Sequence, residues 1–184
     1  QISETYEKET CTGWHRILAY DAPQYMLLSG TDPEKRLKSI NYISQSLHAS
    51  ELLGADTIVI HAGSAAKISR GEAMALASDT LVKNLEVNGN TEIRMGIETM
   101  GKVNQLGTLE EVVELCKIDE NLIPCIDFGH LNARTLGGLK TLEDFEHIFT
   151  TMKNGLGEDR MKSFHSHFSK IEYTNAGEKK HLTF

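Results

Sequence analysis

Apolar positions along this chain fall into short continuous runs separated by longer amphipathic stretches, and the alternation repeats. Ile17-Leu18-Ala19-Tyr20, Thr57-Ile58-Val59-Ile60, Ile93 to Ile97 and Ile123-Pro124-Cys125-Ile126 are apolar or β-branched runs, as expected of strands buried on both faces. A fifth strand is expected within Ser163 to Phe168. Between the runs, apolar residues recur at the helical period. Leu37, Ile40, Ile43, Leu47 and Leu52 follow the start signal Asp32-Pro33-Glu34 and precede Gly54, the capping chemistry of a helix at both ends. Met74, Ala77, Leu81 and Leu85 predict a second helix over about 70–86, broken by Asn88-Gly89-Asn90. Shorter helices are expected over 109–116 and about 142–152. Residues 1–16, with Ser3 as a cap, carry a weak helical pattern, and Ser169 to Phe184 reads as a charged polar loop.

The strands start near 17, 57, 93, 123 and 163, roughly 30 to 40 residues apart, which is one βα step each. The class expected is α/β, a (β/α)8 TIM barrel in a single domain over 1–184. Eight such units typically take about 250 residues, so either the sheet is open or the chain lacks its ends.

Every expected strand stops at, or contains near its end, a ligand-type side chain: Asp21, His61, Glu98, Asp127 with His130, and His165 with His167. The C-terminal strand ends are where barrel enzymes keep their chemistry. Taken singly, a His at a strand end is more often structural, and Glu98 could cap a helix or pair with Lys102; five consecutive strand ends are harder to explain that way. His165 and His167 share a face at the strand period of two, and His181 follows with Glu178 close by. Imidazole and carboxylate without thiolate suit Zn²⁺ or Mn²⁺ and are too nitrogen-rich for Ca²⁺. Lys102 and Lys170, just past strand ends, are phosphate-contact candidates weighed against ordinary solvated lysines.

Composition narrows the setting. The 184 residues are 40% hydrophobic and 24% charged, an ordinary globule. No apolar run reaches the roughly 18 residues of a membrane helix, so a cytoplasmic protein without a membrane partner is expected, and a monomer because no heptad pattern shows. Cys11, Cys116 and Cys125 are odd in number and form no CxxC pair, which disfavours a disulfide framework or zinc knuckle. A net charge of −7 argues against non-specific nucleic-acid binding while allowing a local basic path.

Val59-Ile60-His61-Ala62-Gly63-Ser64, Gly96-Ile97-Glu98-Thr99-Met100-Gly101 and Ile126-Asp127-Phe128-Gly129-His130 resemble motifs of the endonuclease IV family, xylose isomerase-like TIM barrels that cut DNA 5′ to abasic sites with three zinc ions. The resemblance runs through essentially the whole chain. It implies double-stranded abasic DNA as partner and up to three Zn²⁺ as cofactor. It implies His61 as a ligand of the first ion, Glu98 as the bridging and catalytic carboxylate, Asp127 and His165 as ligands of the second, and His130 and His181 as ligands of the third; His167 and Glu178 are further ligand candidates. The chain departs from the family pattern in three places. Asp21 stands where the family has His. Gln24 or Tyr25 takes the place of a DNA-wedging aromatic, and Tyr25 is the expected substrate contact. Lys179, beside Glu178, stands where an Asp precedes the last His by two. The family also has an opening strand before, and a metal-binding Glu on a late strand after, the part present here, so the resemblance implies that the chain covers part of a barrel and lacks its first βα unit and last strand or strands.

Two other readings stay open. Glu98, Asp127 and His165 would equally serve a one-metal sugar isomerase or epimerase of the xylose isomerase kind, which has no need of His61, His130 and His181. Asp21 and Lys179 also fit a degenerate barrel that binds metal or DNA without turnover.

Overall fold

A computed structural model describes residues 19–23 and 26–183. Ser3, Cys11, Ile17, Leu18, Gln24, Tyr25 and Phe184, named above, lie outside the described residues. Five parallel strands form one sheet in the order β1 (Ala19–Asp21), β2 (Thr57–Ile60), β3 (Arg94–Glu98), β4 (Leu122–Asp127) and β5 (His165–His167). Each consecutive pair of strands is linked by helix: α1 (Pro33–Leu53), α2 (Arg70–Asn88), α3 (Leu109–Cys116), and then α4 (Phe128–Arg134), α5 (Leu142–Leu156) and α6 (Glu158–Lys162) together. Sequential strand order with one helical crossover per step is the winding of a (β/α) barrel, here as a five-stranded arc.

Local chemistry sets the helix ends. The Asp32 carboxylate accepts from Glu34 N–H at 3.0 Å, and Gly54 closes α1 with φ +69°, a left-handed cap that favours glycine. Ser69 with Glu72 and Thr108 with Glu111 form capping boxes on α2 and α3. Pro124 interrupts a central strand, where a missing N–H ordinarily costs a ladder bond. The pairing of β4 with β5 begins only at Cys125–His165, one residue beyond it. Arg160 Nη2 donates to Leu122 O at 2.7 Å, so that carbonyl is also satisfied.

Strand residues alternate between two environments. Ile58, Ile60, Met95, Ile97, Leu122 and Ile126 are fully buried. All but Ile126 pack in one cluster with Ile43, Leu47, Ala77, Leu81 and Val112 of the helices. Ile126 joins Leu109, Val113, Leu131, Ile148 and Met152 in a second. Residues of the opposite parity, Gly96, Glu98, Cys125 and Asp127, face the other side of the sheet.

One expectation is overturned. Residues 169–183 are not a polar loop: β6 (Lys170–Thr174) and β7 (Gly177–Leu182) form an antiparallel hairpin. Ile171 and Tyr173 alternate with polar residues, and Gly177, at φ +89°, opens β7 directly after the turn at Asn175 and Ala176. The charged faces pair across the strands, as Lys179 and Lys180 do with Glu172 at 2.6 and 3.5 Å. Charge that read as loop is therefore cross-strand pairing.

Candidate metal centre

The C-terminal ends of the strands surround a cavity of about 610 Å³ lined by Asp21, His61, Glu98, Asp127, His130, His167, Glu178 and His181. At its base lies Glu98, the last residue of β3, almost fully buried. His61 Nε2 is 2.8 Å from one of its carboxylate oxygens, and His167 Nδ1 is 2.8 Å from the other. One carboxylate thus holds an imidazole on each oxygen. Burial pushes the Glu98 carboxyl up, but hydrogen bonds from His167 and His61, with the charges of His61 and His130, outweigh it and hold it at about 2. The same bond from Glu98 raises His167 against the opposing effect of its burial.

Asp127 ends β4 and caps α4: its Oδ1 accepts His130 N–H at 2.8 Å, which fixes the His130 side chain over the mouth. His130 Nδ1 donates to Thr99 O at 2.8 Å. That bond leaves the lone pair on Nε2, the way a ligating histidine is ordinarily oriented. His130 Nε2 faces His181 Nε2 at 3.2 Å, with Glu178 oxygens 3.4 Å from the former and 3.8 Å from the latter. His181 is held from behind by Ser169 Oγ at 2.8 Å from its Nδ1.

These residues fit a divalent transition metal. Two imidazole nitrogens bound to one tetrahedral ion at about 2.0–2.1 Å stand about 3.3 Å apart, close to the observed His130–His181 separation. Ligand atoms of Asp127, His130 and His181, and separately of Glu98, Asp127 and His167, lie within 4.8 Å of one another. The donors are nitrogen and hard oxygen, the set that suits zinc or manganese.

The residues anticipated from the sequence are distributed unevenly. Register places Asp127 opposite His167 and Cys125 opposite His165, so His167 reaches the cavity and His165 lies one step below it. Asp21 is at the rim, its side chain 75% exposed, 3.9 Å from His167 Nε2. Lys102 lines the mouth, whereas Lys170 lies by a separate cavity with Phe128 and Phe168. Lys179 points away to Glu172, and Glu178 occupies the inner side instead. Sequence reasoning did not single out Lys180 and Gln105, which also line the mouth, or the orienting Thr99 and Ser169. Strand alternation with Glu178 would have flagged Lys180; nothing local marks the others.

The segment after β3 ties the mouth together. Glu178 N–H donates to Gly101 O at 3.0 Å and Val103 N–H to Ala176 O at 3.1 Å, stitching the hairpin to it, while Leu106 N–H donates to Gly63 O at 3.0 Å. Arg134 and Arg70 both donate to the carbonyls of Val103 and Gln105.

Residues 13–182 match the model of a family described as xylose isomerase-like TIM barrel. An uncharacterized protein of Methanocaldococcus jannaschii is 32% identical over 170 residues, covering 90% of this chain and 61% of the relative. A probable endonuclease 4 of Staphylococcus carnosus is 28% identical over 138 residues, covering 72% and 45%. Among solved structures, a D-tagatose 3-epimerase-like protein superimposes with TM-score 0.68 at 22% identity, over 86% of this chain and 58% of that one. Endonuclease IV of Thermus thermophilus gives 0.57 at 22%, over 77% and 49%. At such identities the structures establish the fold. The chain spans between 45% and 61% of the length of these two relatives.

Proposed function

We propose, since the chain belongs to the xylose isomerase-like TIM barrel family, that it carries most of the metal-binding mouth of an endonuclease IV-like phosphodiester hydrolase, which incises DNA 5′ to abasic sites. The observation that carries this reading is the presence of two ligand groups in one mouth. Glu98, Asp127 and His167 make one, and Asp127, His130 and His181 make another, with His61 on Glu98 and Glu178 beside His130 and His181, whereas a one-metal sugar enzyme needs only a single group. The likeness to a probable endonuclease 4 supports it, as do Lys102 and Lys180, which bring positive charge to the rim of an acidic mouth.

Zinc held by these residues would supply Lewis-acid stabilisation of phosphate oxygens and would lower the pKa of water. The chain's own residues do the positioning. Glu98, ionised at the base, ties His61 to His167 and so holds the ends of β2, β3 and β5 at one spacing. The Thr99 carbonyl, bonded to His130 Nδ1, turns His130 Nε2 toward the mouth, and Ser169 orients His181. Lys102 and Lys180 attract the phosphodiester. The reading entails a cytoplasmic monomer acting on abasic duplex DNA.

A second reading, a one-metal sugar isomerase or epimerase, is favoured by one observation: Glu98, Asp127 and His167 by themselves converge as a ligand group. A single experiment separates the two. The protein is incubated with a duplex carrying one abasic-site analogue, and zinc per chain is counted on the same sample. Incision 5′ to the lesion with two or three zinc ions is expected. One bound metal without incision overturns the nuclease and directs the search to ketoses.

A further inference from the structure

Below the mouth, three donors meet that the nuclease reading does not use together. Cys125 stands opposite His165 in the β4–β5 register, one step beneath the Asp127–His167 pair. The Cys125 sulfur and one ring nitrogen each of His165 and His167 lie within 4.8 Å of one another. The two imidazoles meet edge to face, with centroids 5.1 Å apart and planes at 89°. Cys125 is fully buried and both histidines half-buried. Gly96 on the neighbouring strand keeps the layer open, since a Cβ there would come within 3.3 Å of Cys125 Cβ. Cys116, the other free thiol of the described residues, is buried in the helix-side core and belongs to no such ligand group among the described residues.

The two layers differ in chemistry. Carboxylates dominate the mouth, while a thiol and two imidazoles make up the layer beneath, a soft donor set that prefers thiophilic d¹⁰ ions over magnesium, calcium or manganese. We propose that Cys125, His165 and His167 form a separate site for a thiophilic metal ion of the zinc–cadmium class, one layer below the mouth. The Cys125 thiol proton passes to solvent as the ion binds. His167 belongs to both layers, because its Nδ1 bonds Glu98 at 2.8 Å. An ion in the lower site therefore shares His167 with the mouth, and a thiophilic metal in excess competes with the mouth for it. This inference holds whatever substrate the mouth takes.

Cadmium alone is the probe. Metal-stripped protein, kept reduced with a phosphine, is titrated with CdCl₂ while the ultraviolet thiolate-to-cadmium charge-transfer band is followed. A saturable band is expected in the parent protein. It should vanish in Cys125→Ser and need about tenfold more cadmium in His165→Gln, while persisting in Cys116→Ser and Glu98→Gln. Absence of the band in the parent, its survival in Cys125→Ser, or its loss with Cys116 or Cys11 overturns the proposal. If Cys125→Ser does not fold, X-ray absorption of the cadmium-loaded parent decides: a sulfur neighbour is required, and a shell of nitrogen and oxygen alone refutes the site.

Discussion

Gly101→Ala perturbs the mouth without touching a ligand. A Cβ at Gly101 would stand 2.6 Å from Glu178 Cβ, 2.9 Å from His130 Cδ2 and 3.0 Å from Glu178 Oε2. Carbon atoms pack at about 3.5–4.0 Å, so the new methyl is roughly 1 Å too close to His130, a member of the second ligand group, and to Glu178 beside it. Gly101 is not among the glycines with positive φ, so the backbone accepts alanine and the whole effect is steric. Glu178 cannot escape by rotation alone, because the clash is with its Cβ and its own N–H is bonded to Gly101 O; the hairpin has to lift. Ligand distances tolerate only about ±0.2 Å, so a retreat of about 1 Å removes Glu178 from any ion shared with His130 and His181. The expected cost is about 1–3 kcal/mol of stability from overpacking and about 10–100-fold in affinity for one zinc, read by competition with a chromophoric chelator. The zinc held around Glu98 should be unchanged. A variant with lowered melting temperature but parental zinc stoichiometry and affinity would refute the reasoning.

Three further outcomes follow from the geometry. His167→Gln should weaken zinc at the mouth about 10–100-fold in the chelator competition while His165→Gln leaves it nearly unchanged; equal losses would sink the register argument. Glu111 is raised by burial but lowered more by Arg70 and by the Thr108 and Gly107 amides, for a net fall. A carboxyl held low in the folded state adds stability that is present above the ordinary glutamate value of 4.5 and is lost as pH falls below it. Glu111→Gln should therefore destabilise at neutral pH by about 2 kcal/mol and flatten the acid limb of a urea-melt series, and an unchanged limb would count against the Arg70–Glu111 pair. Leu81→Ala empties a fully buried position and should cost about 2–5 kcal/mol in urea melts, with zinc affinity of the folded protein retained; metal loss below the unfolding transition would contradict the separation of core from mouth.

Much of the architecture was legible because the strands are buried on both faces and read as unbroken apolar runs, while capped helices announce their own starts. The C-terminal ends of those runs pointed to Asp21, His61, Glu98 and Asp127 directly. His165 and His167 show what local pattern leaves out. Their spacing puts both on one face, and only pairing with β4, which lies about 40 residues earlier in the chain, decides which of them reaches the mouth. The hairpin was hidden for a different reason. Lys170–Leu182 exposes its charged side chains, some of which pair across the strands, and charge-rich sequence without a buried face resembles loop. The turn at Thr174–Gly177 and the alternation of Ile171 and Tyr173 were the available signals. Short α4 was masked by Asp127 itself, a residue that ends a strand and caps a helix at once.

The stitching of the hairpin to the segment after β3 carries a kinetic consequence. Glu178 and His181 ride on β7, while His130 rides on α4, and the amides of Glu178 and Val103 bridge the hairpin to that segment. Parting of those bridges would let β7 carry His181 away from His130, so solvent hydrogen exchange at those two amides reports how long the pair stays assembled.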